Sequence, residues 1–417
     1  MTLTPQQVES CRRQFPALAR RVGDLPAVFF DGPAGTQVPN RVIDAIGDYL
    51  RTSNANCCGA FATSRISDAL LESAHQAVAD LLGADDADCV AFGPNMTTHT
   101  FAFSRALSRT WRAGDEVVVT RLDHDANVTP WVLAARDAGA EVRYVSIRRD
   151  DCTLDLDDLR GKLTNRTRLV AIGGASNSTG GLNPVEQIVE WAHDAGAEVF
   201  VDAVHLAPHA RIDVQRLGCD YLACSVYKFF GPHVGVLWGR RERLESLPAY
   251  KLRPASDELP SKWMTGTQNH ECIAGTLAAI DYLADLGRML AGSPKLKRRE
   301  ALDAAYRHIR EYEIELSARL LAGLANLKRV KVWGITDPAR LHDRVPTVSI
   351  THSRLKPRQL AEHLDERGIF VWHGNYYAFG LTETLDLEPD GMVRIGLVHY
   401  NTPEEIDRLL AALAELE

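Results

Sequence analysis

Asp202 closes the apolar run Glu198–Asp202, in the stretch Val201-Asp202-Ala203-Val204-His205. Lys228 lies just beyond the next apolar run, in Ser225-Val226-Tyr227-Lys228-Phe229-Phe230-Gly231-Pro232. A carboxylate at the end of a buried strand is costly unless it meets a cation or hydrogen-bond donors. An amine reaching the same crevice can hold a carbonyl compound as a Schiff base. A Schiff-base lysine, with an acid facing a pyridinium nitrogen, is the arrangement that pyridoxal 5'-phosphate (PLP) requires. Taken singly, a strand-end Asp and a surface Lys are the commoner structural residues. Their order, with Gly231-Pro232 after the lysine, favours the cofactor.

A phosphate is best held where a helix begins and backbone N–H groups are free. Gly93-Pro94-Asn95-Met96-Thr97-Thr98 follows the run Cys89–Phe92 and precedes the helical Phe101–Leu107. It is the natural cup, using the backbone of Asn95 and Met96 and the Thr97 hydroxyl, with Ser225 adding a further hydroxyl. No G-x-x-x-x-G-K-[ST] or G-x-G-x-x-G is present, so a nucleotide loop does not compete. Ser225-Val226-Tyr227-Lys228 also spells S-x-x-K, a signature of serine acyl enzymes. That chemistry needs S-D-N and K-T-G partners, and neither tripeptide occurs. A serine hydrolase using Ser225 is therefore the distant alternative.

The elements that must position these groups are legible as alternating patterns. Between about residues 75 and 240, the apolar runs are Cys89–Phe92, Glu116–Thr120, Glu141–Val145, Arg168–Ile172, Glu198–Asp202, Asp220–Cys224 and Gly235–Trp238. Several are apolar throughout, as in strands buried on both faces. Helical segments such as Val185–Ala195 separate them, and Gly196 ends that one. Repeats of this kind predict a mostly parallel, doubly wound α/β sheet. Ligands bind beyond the carboxyl ends of such strands. After residue 290 the texture changes to a long amphipathic helix, about 301–326, then strands at Thr347–Thr351, Phe370–Trp372 and Met392–Tyr400. Thr4-Pro5 with Gln7, and Thr402-Pro403 with Glu405, read as capped helix starts. The expected organisation is a large α/β domain at 21–285, with a small α+β domain from 1–20 plus 286–417.

The chain has 417 residues, 45% hydrophobic and 24% charged, with 47 Lys and Arg against 55 Asp and Glu. A net charge of -8 without a basic stripe argues against a nucleic-acid partner. No apolar run reaches membrane-span length, and MTLTPQQVESCRRQF lacks the apolar core of a signal peptide. The eight cysteines form no CxxC pair and show no zinc-ligand spacing, so no metal is expected. The expectation is a cytoplasmic protein with reduced thiols.

Further motifs carry a family resemblance over nearly the whole chain. Phe29-Phe30-Asp31-Gly32-Pro33-Ala34-Gly35-Thr36-Gln37, Asp123-His124-Asp125-Ala126-Asn127 with Pro130-Trp131, Ala175-Ser176-Asn177-Ser178-Thr179-Gly180, Gly266-Thr267-Gln268-Asn269 and Arg394-Ile395-Gly396-Leu397 with Tyr400-Asn401-Thr402 stand beside the lysine segment. Together they resemble the class V aminotransferase family, most of all its group II cysteine desulfurases. The resemblance implies a fold type I PLP enzyme acting on a small amino acid. It implies that His124 stacks on the cofactor ring and that Asn177 reaches the cofactor hydroxyl and the substrate. Ala34 would approach the substrate, and Arg394 would grip its carboxylate. A homodimer is implied too, with Thr267 reaching the partner's cofactor phosphate.

The sequence departs from the desulfurase pattern at telling places. That pattern carries a reactive Cys shortly after a Gly-Ile-x-Val strand. Here the segment reads Gly368-Ile369-Phe370-Val371-Trp372-His373-Gly374-Asn375-Tyr376-Tyr377-Ala378, with Tyr377 where the Cys would stand. A phenol cannot accept sulfur as a persulfide. His205 replaces the usual Gln facing the cofactor hydroxyl, Tyr227 the usual His before the lysine, and Trp372 a substrate-side Arg. His373 and Tyr377 are candidates for acid–base work on a leaving group, with packing as the plainer role for Trp372 and Tyr376. Arg65 is a weaker candidate for a substrate-side charge. The expected reaction is a desulfurase-like β-elimination of a cysteine derivative without an enzyme persulfide. Transamination and epimerisation are the alternatives.

Overall fold

The computed structural model describes residues 2–417. Seven strands form the main sheet: β1 (Val90–Gly93), β2 (Glu116–Thr120), β3 (Glu141–Val145), β4 (Thr167–Gly173), β5 (Glu198–Asp202), β6 (Tyr221–Ser225) and β7 (Gly235–Gly239). Their order across the sheet is β1-β7-β6-β5-β4-β2-β3. From β6 to β3 every pairing is parallel, and β7 alone runs antiparallel to both its neighbours. Strands β2 and β6 are buried along their whole length, as a sheet covered on both faces requires. Val117, Val118 and Val119 are wholly inaccessible. Each such side chain contributes about 1.5–3 kcal/mol of apolar burial. β3 is the edge, and Glu141 stands exposed on it.

A second, four-stranded sheet comprises β8 (Val330–Trp333), β9 (Thr347–His352), β10 (Trp372–Gly374) and β11 (Met392–Gly396), in the order β8-β9-β11-β10 and antiparallel throughout. The long helix Arg298–Leu324 begins slightly before its expected start, where Glu300 caps the backbone N–H of Lys297. Both expected capping boxes form: Thr4 with Gln7, and Thr402 with Glu405. The N-terminal helix Pro5–Arg12 docks on the C-terminal segment, with Arg12 bonded to the Tyr400 carbonyl and to Glu405.

Two elements differ from the sequence expectation. The run Phe370–Trp372 is split between sheets: Ile369–Phe370 pairs in parallel with Val28–Phe29, whereas β10 pairs with β11. A short apolar run does not reveal such a change of partner. β11 ends at Gly396 rather than Tyr400. There the chain presses on Pro33, and a Cβ on Gly396 would lie 2.0 Å from the proline ring. The close approach stops the ladder and brings the Pro33-Ala34 loop over the sheet rim.

Candidate active site

The carboxyl ends of β1, β2, β4, β5 and β6 open into one cavity of about 630 Å³, walled on the far side by β10, the turn after it and β11. Lys228 sits on a short turn, Val226–Lys228, that follows β6 directly. Its Nζ donates to the carbonyls of Pro33 and Ala34, the latter at 3.0 Å. Burial and the nearby Arg394 guanidinium lower the lysine pKa to about 7, although Asp202 opposes the shift. An amine with that pKa is substantially unprotonated at neutral pH and so nucleophilic.

Asp202 ends β5 and faces the same cavity. One oxygen accepts the Val204 N–H at 2.8 Å. Burial pushes its pKa up to about 6, with that hydrogen bond and Lys228 pulling it down. A carboxylate so placed gains from any cation set against it. Asp123 is its neighbour. It accepts from Thr120 Oγ1 at 2.7 Å and from the Gly173 N–H at 2.6 Å, and burial raises it to about 7 with Asp202 adding to the rise. A Cβ on Gly173 would lie 2.4 Å from that Asp123 oxygen, so only glycine admits the contact. Asp123 carries no assigned role in the sequence pattern. It follows β2, and Asp202 ends β5, with β4 lying between the two strands.

His124 follows β2. Its Nδ1 accepts the Ala126 N–H at 3.0 Å, which leaves the proton on Nε2. Burial, Lys228 and Arg394 lower its pKa to about 4, so the ring is neutral. His205 is also neutral, held well below the usual range by burial first and by surrounding cations; its Nε2 meets Thr347 Oγ1 at 2.9 Å. Arg394, in the middle of β11, donates from Nη1 to the Asn177 carbonyl at 2.8 Å and stacks 4.3 Å from the Tyr376 ring centre. Burial lowers it to about 10, and its Nε has no partner. Asn177 Oδ1 is likewise buried without a partner, while its Nδ2 donates to the Tyr376 carbonyl at 3.0 Å.

The structure thus gathers Lys228, Asp202, His124, His205, Asn177, Met96, Thr97, Ser225, Ala34, His373, Tyr377 and Arg394 around one space. The side chains of three of the proposed residues lie elsewhere. Asn95 is the N-cap of helix Met96–Leu107, its side chain accepting from the Thr98 N–H at 2.8 Å. Thr267 is exposed and outside the cavity of its own chain, and so is Arg65. The Met96 N–H donates to Ser225 Oγ at 3.0 Å. No histidine or lysine hydrogen-bonds that hydroxyl, so the activated nucleophile of a serine hydrolase is not assembled at Ser225.

Among the described residues no cysteine lines the cavity. Tyr377 takes the rim instead, 71% exposed, its ring 5.3 Å from that of His124 and tilted by 30°. Tyr376 and Tyr377 both adopt left-handed backbone, with φ of 56° and 58°. Such residues cost on the order of 1–3 kcal/mol each and persist where surroundings over-determine them. Here the Asp125 N–H donates to the Tyr377 carbonyl at 2.7 Å, Asn177 holds the Tyr376 carbonyl, and the Tyr376 hydroxyl donates to the Met392 carbonyl.

Residues 28–409 match the family model Aminotransferase class-V. The chain belongs to this family. A cysteine desulfurase of Enterobacter sp. (strain 638) is 32% identical, over 98% of both chains. An aminotransferase-like protein of Gibberella zeae is 33% identical, over 99% of both. The apo structure of a cysteine desulfurase from Thermococcus onnurineus NA1 superposes with a TM-score of 0.86, at 26% identity, over 100% of this chain and 99% of that one. The class V aminotransferase described here is accordingly a fold type I, PLP-dependent enzyme of desulfurase-like type. Its cavity fits the cofactor. It offers a depressed amine, a buried carboxylate, a neutral imidazole and the start of a helix, together with the unpartnered Asn177 Oδ1 and Arg394 Nε.

Proposed function

We propose that the enzyme is a C–S lyase that cleaves the Cβ–S bond of a cysteine derivative without forming an enzyme persulfide. One observation carries this reading: a desulfurase-like cavity in which Tyr377 stands at the rim and, among the described residues, no cysteine reaches the lining. Lys228 would hold PLP, Asp202 would face its ring nitrogen, and His124 would lie on its ring. Met96, Thr97, Ser225 and the backbone at Asn95 would receive its phosphate. When bound, PLP supplies an electron sink for negative charge developing at the substrate Cα.

The chain's own groups account for the remaining steps. Arg394 grips the substrate α-carboxylate, with its planar fork aimed by Tyr376 and Asn177. Lys228 Nζ takes the proton from Cα. The Cβ–S bond breaks with its electron pair on sulfur, and the sulfur leaves as a thiol after gaining a proton. Tyr377 and His373 stand on the wall where that proton is delivered. The remaining unsaturated amine hydrolyses to pyruvate and ammonia. The enzyme acts as a homodimer, in which the exposed Thr267 reaches the partner's cofactor phosphate.

The test is a screen of S-substituted cysteines with product identification. Released thiol and pyruvate in equal amounts, with no sulfur retained on protein, support the lyase. A keto acid with no released thiol would favour transamination, the reading suggested by the aminotransferase-like relative.

A further inference from the structure

Away from the cavity, the turn between helices Asn40–Thr52 and Ala62–Leu82 carries two adjacent cysteines, Cys57 and Cys58, both exposed and both free thiols. Adjacent side chains on extended backbone point to opposite sides. Cys58 instead adopts φ of 66°, a left-handed conformation costly for a residue with a Cβ. The two sulfur atoms and one carboxylate oxygen of Asp68 all lie within 4.8 Å of one another.

The turn that presents them is pinned from beneath. Ser64 Oγ, wholly buried, accepts the Gly59 N–H at 2.6 Å and donates to the Asn56 carbonyl at 2.6 Å, clamping both ends. Asp68, one helical turn further on, accepts the Cys58 N–H at 2.8 Å. Tyr49 and Ser67 hydroxyls hold the Ala55 carbonyl just upstream, at 3.1 and 2.8 Å. Rigid backbone that keeps two thiols beside a carboxylate is what a preorganised ligand set needs. Motif spacing misses such a site, because one ligand comes from a helix and two from adjacent turn residues.

We infer that Cys57, Cys58 and Asp68 form a surface site for a soft divalent cation of the zinc class, two thiolates and one carboxylate binding it and water taking the fourth position. Thiolate sulfur selects such ions, and tetrahedral coordination accepts this donor set. Binding displaces the two thiol protons to solvent, leaving the sulfur oxidation state unchanged. The site does not depend on the reaction proposed for the cavity.

The experiment titrates Cd2+ into the reduced, metal-stripped, full-length holoenzyme and follows the ultraviolet sulfur-to-metal charge-transfer band. The expected result is a band saturating at one Cd2+ per chain, with about two protons set free, and a weaker apparent Cd2+ affinity when a large excess of Zn2+ is present. C57S and C58S should each abolish the band, whereas C272S leaves it intact. D68N should weaken affinity about tenfold or more. The visible spectrum of the bound cofactor reports that each variant is folded. No saturable band, or one that survives C57S and C58S, overturns the inference.

Discussion

The floor and the wall of the cavity are built on different terms. The floor is the rim of the parallel sheet, where Asp202, Asp123 and Ser225 end or follow largely buried strands and leave little freedom of position. The wall is β10 and the turn after it, where Trp372 and Tyr377 are 50% and 71% exposed and two consecutive residues hold left-handed backbone. Burial buys the floor its altered proton affinities, because a low-dielectric setting penalises charge. The exposed part of the wall, Trp372 and Tyr377, has no such setting and offers ring shape and a hydroxyl group instead. On the function proposed above, the floor would supply the general chemistry of the family, and the wall would decide which bond breaks.

The sharpest way to break the comparison is at the floor. Lys228→Ala should abolish covalent cofactor attachment and lower turnover by about 10²–10⁴-fold or more. Absorbance of the purified protein and steady-state rates read both effects. If Lys228→Ala retained turnover, the floor would not be the catalytic element.

Next in size is Arg394→Lys. It keeps the charge but loses the planar fork, and kcat/KM for amino acids should fall by about 1.5–3 kcal/mol, roughly tenfold to over a hundredfold. The loss should appear mainly in KM. A change in kcat alone would place Arg394 outside carboxylate binding.

The pH dependence sharpens the contrast further. The pKa of Lys228 is lowered to about 7, so its amine is protonated below that pH and free above it. The rate at which apoenzyme captures PLP should therefore rise with pH through about 7 and then level. Stopped-flow absorbance would check it, and a midpoint near the ordinary lysine range would mean that the floor does not depress this amine.

The smallest effect is expected at the wall. Tyr377→Gly removes the cost of left-handed backbone and should stabilise the fold by up to about 1 kcal/mol in chemical denaturation. Tyr377→Phe keeps the ring but not the hydroxyl. Unchanged thiol release in that variant would assign the leaving-group proton to His373.

The same contrast explains what the sequence made legible. The strands of the floor announce themselves, since Val117, Val118 and Val119, or Val199, Phe200 and Val201, can only be interior residues, and the acid after them stands out. Capped helix starts at Thr4 and Thr402 follow from local hydrogen bonding alone and needed no tertiary context. The wall did not show itself so clearly. Phe370–Trp372 read as one short strand because the change of sheet within it, between Ile369–Phe370 and Trp372–Gly374, is a tertiary event. Asp123 likewise gained meaning only when β2 and β4 came together and Gly173 offered its N–H. The proposed ligand set at Cys57, Cys58 and Asp68 was hidden for a similar reason, as turn and helix meet only in the fold.

Asn177 ties the two halves of the cavity with both of its ends. Its carbonyl receives the guanidinium of Arg394 while its side-chain amide grasps the Tyr376 carbonyl. Any swing of the small sheet away from the large one must break these bonds together. A carboxylate seated on Arg394 would add a third tie at this same point between the two sheets.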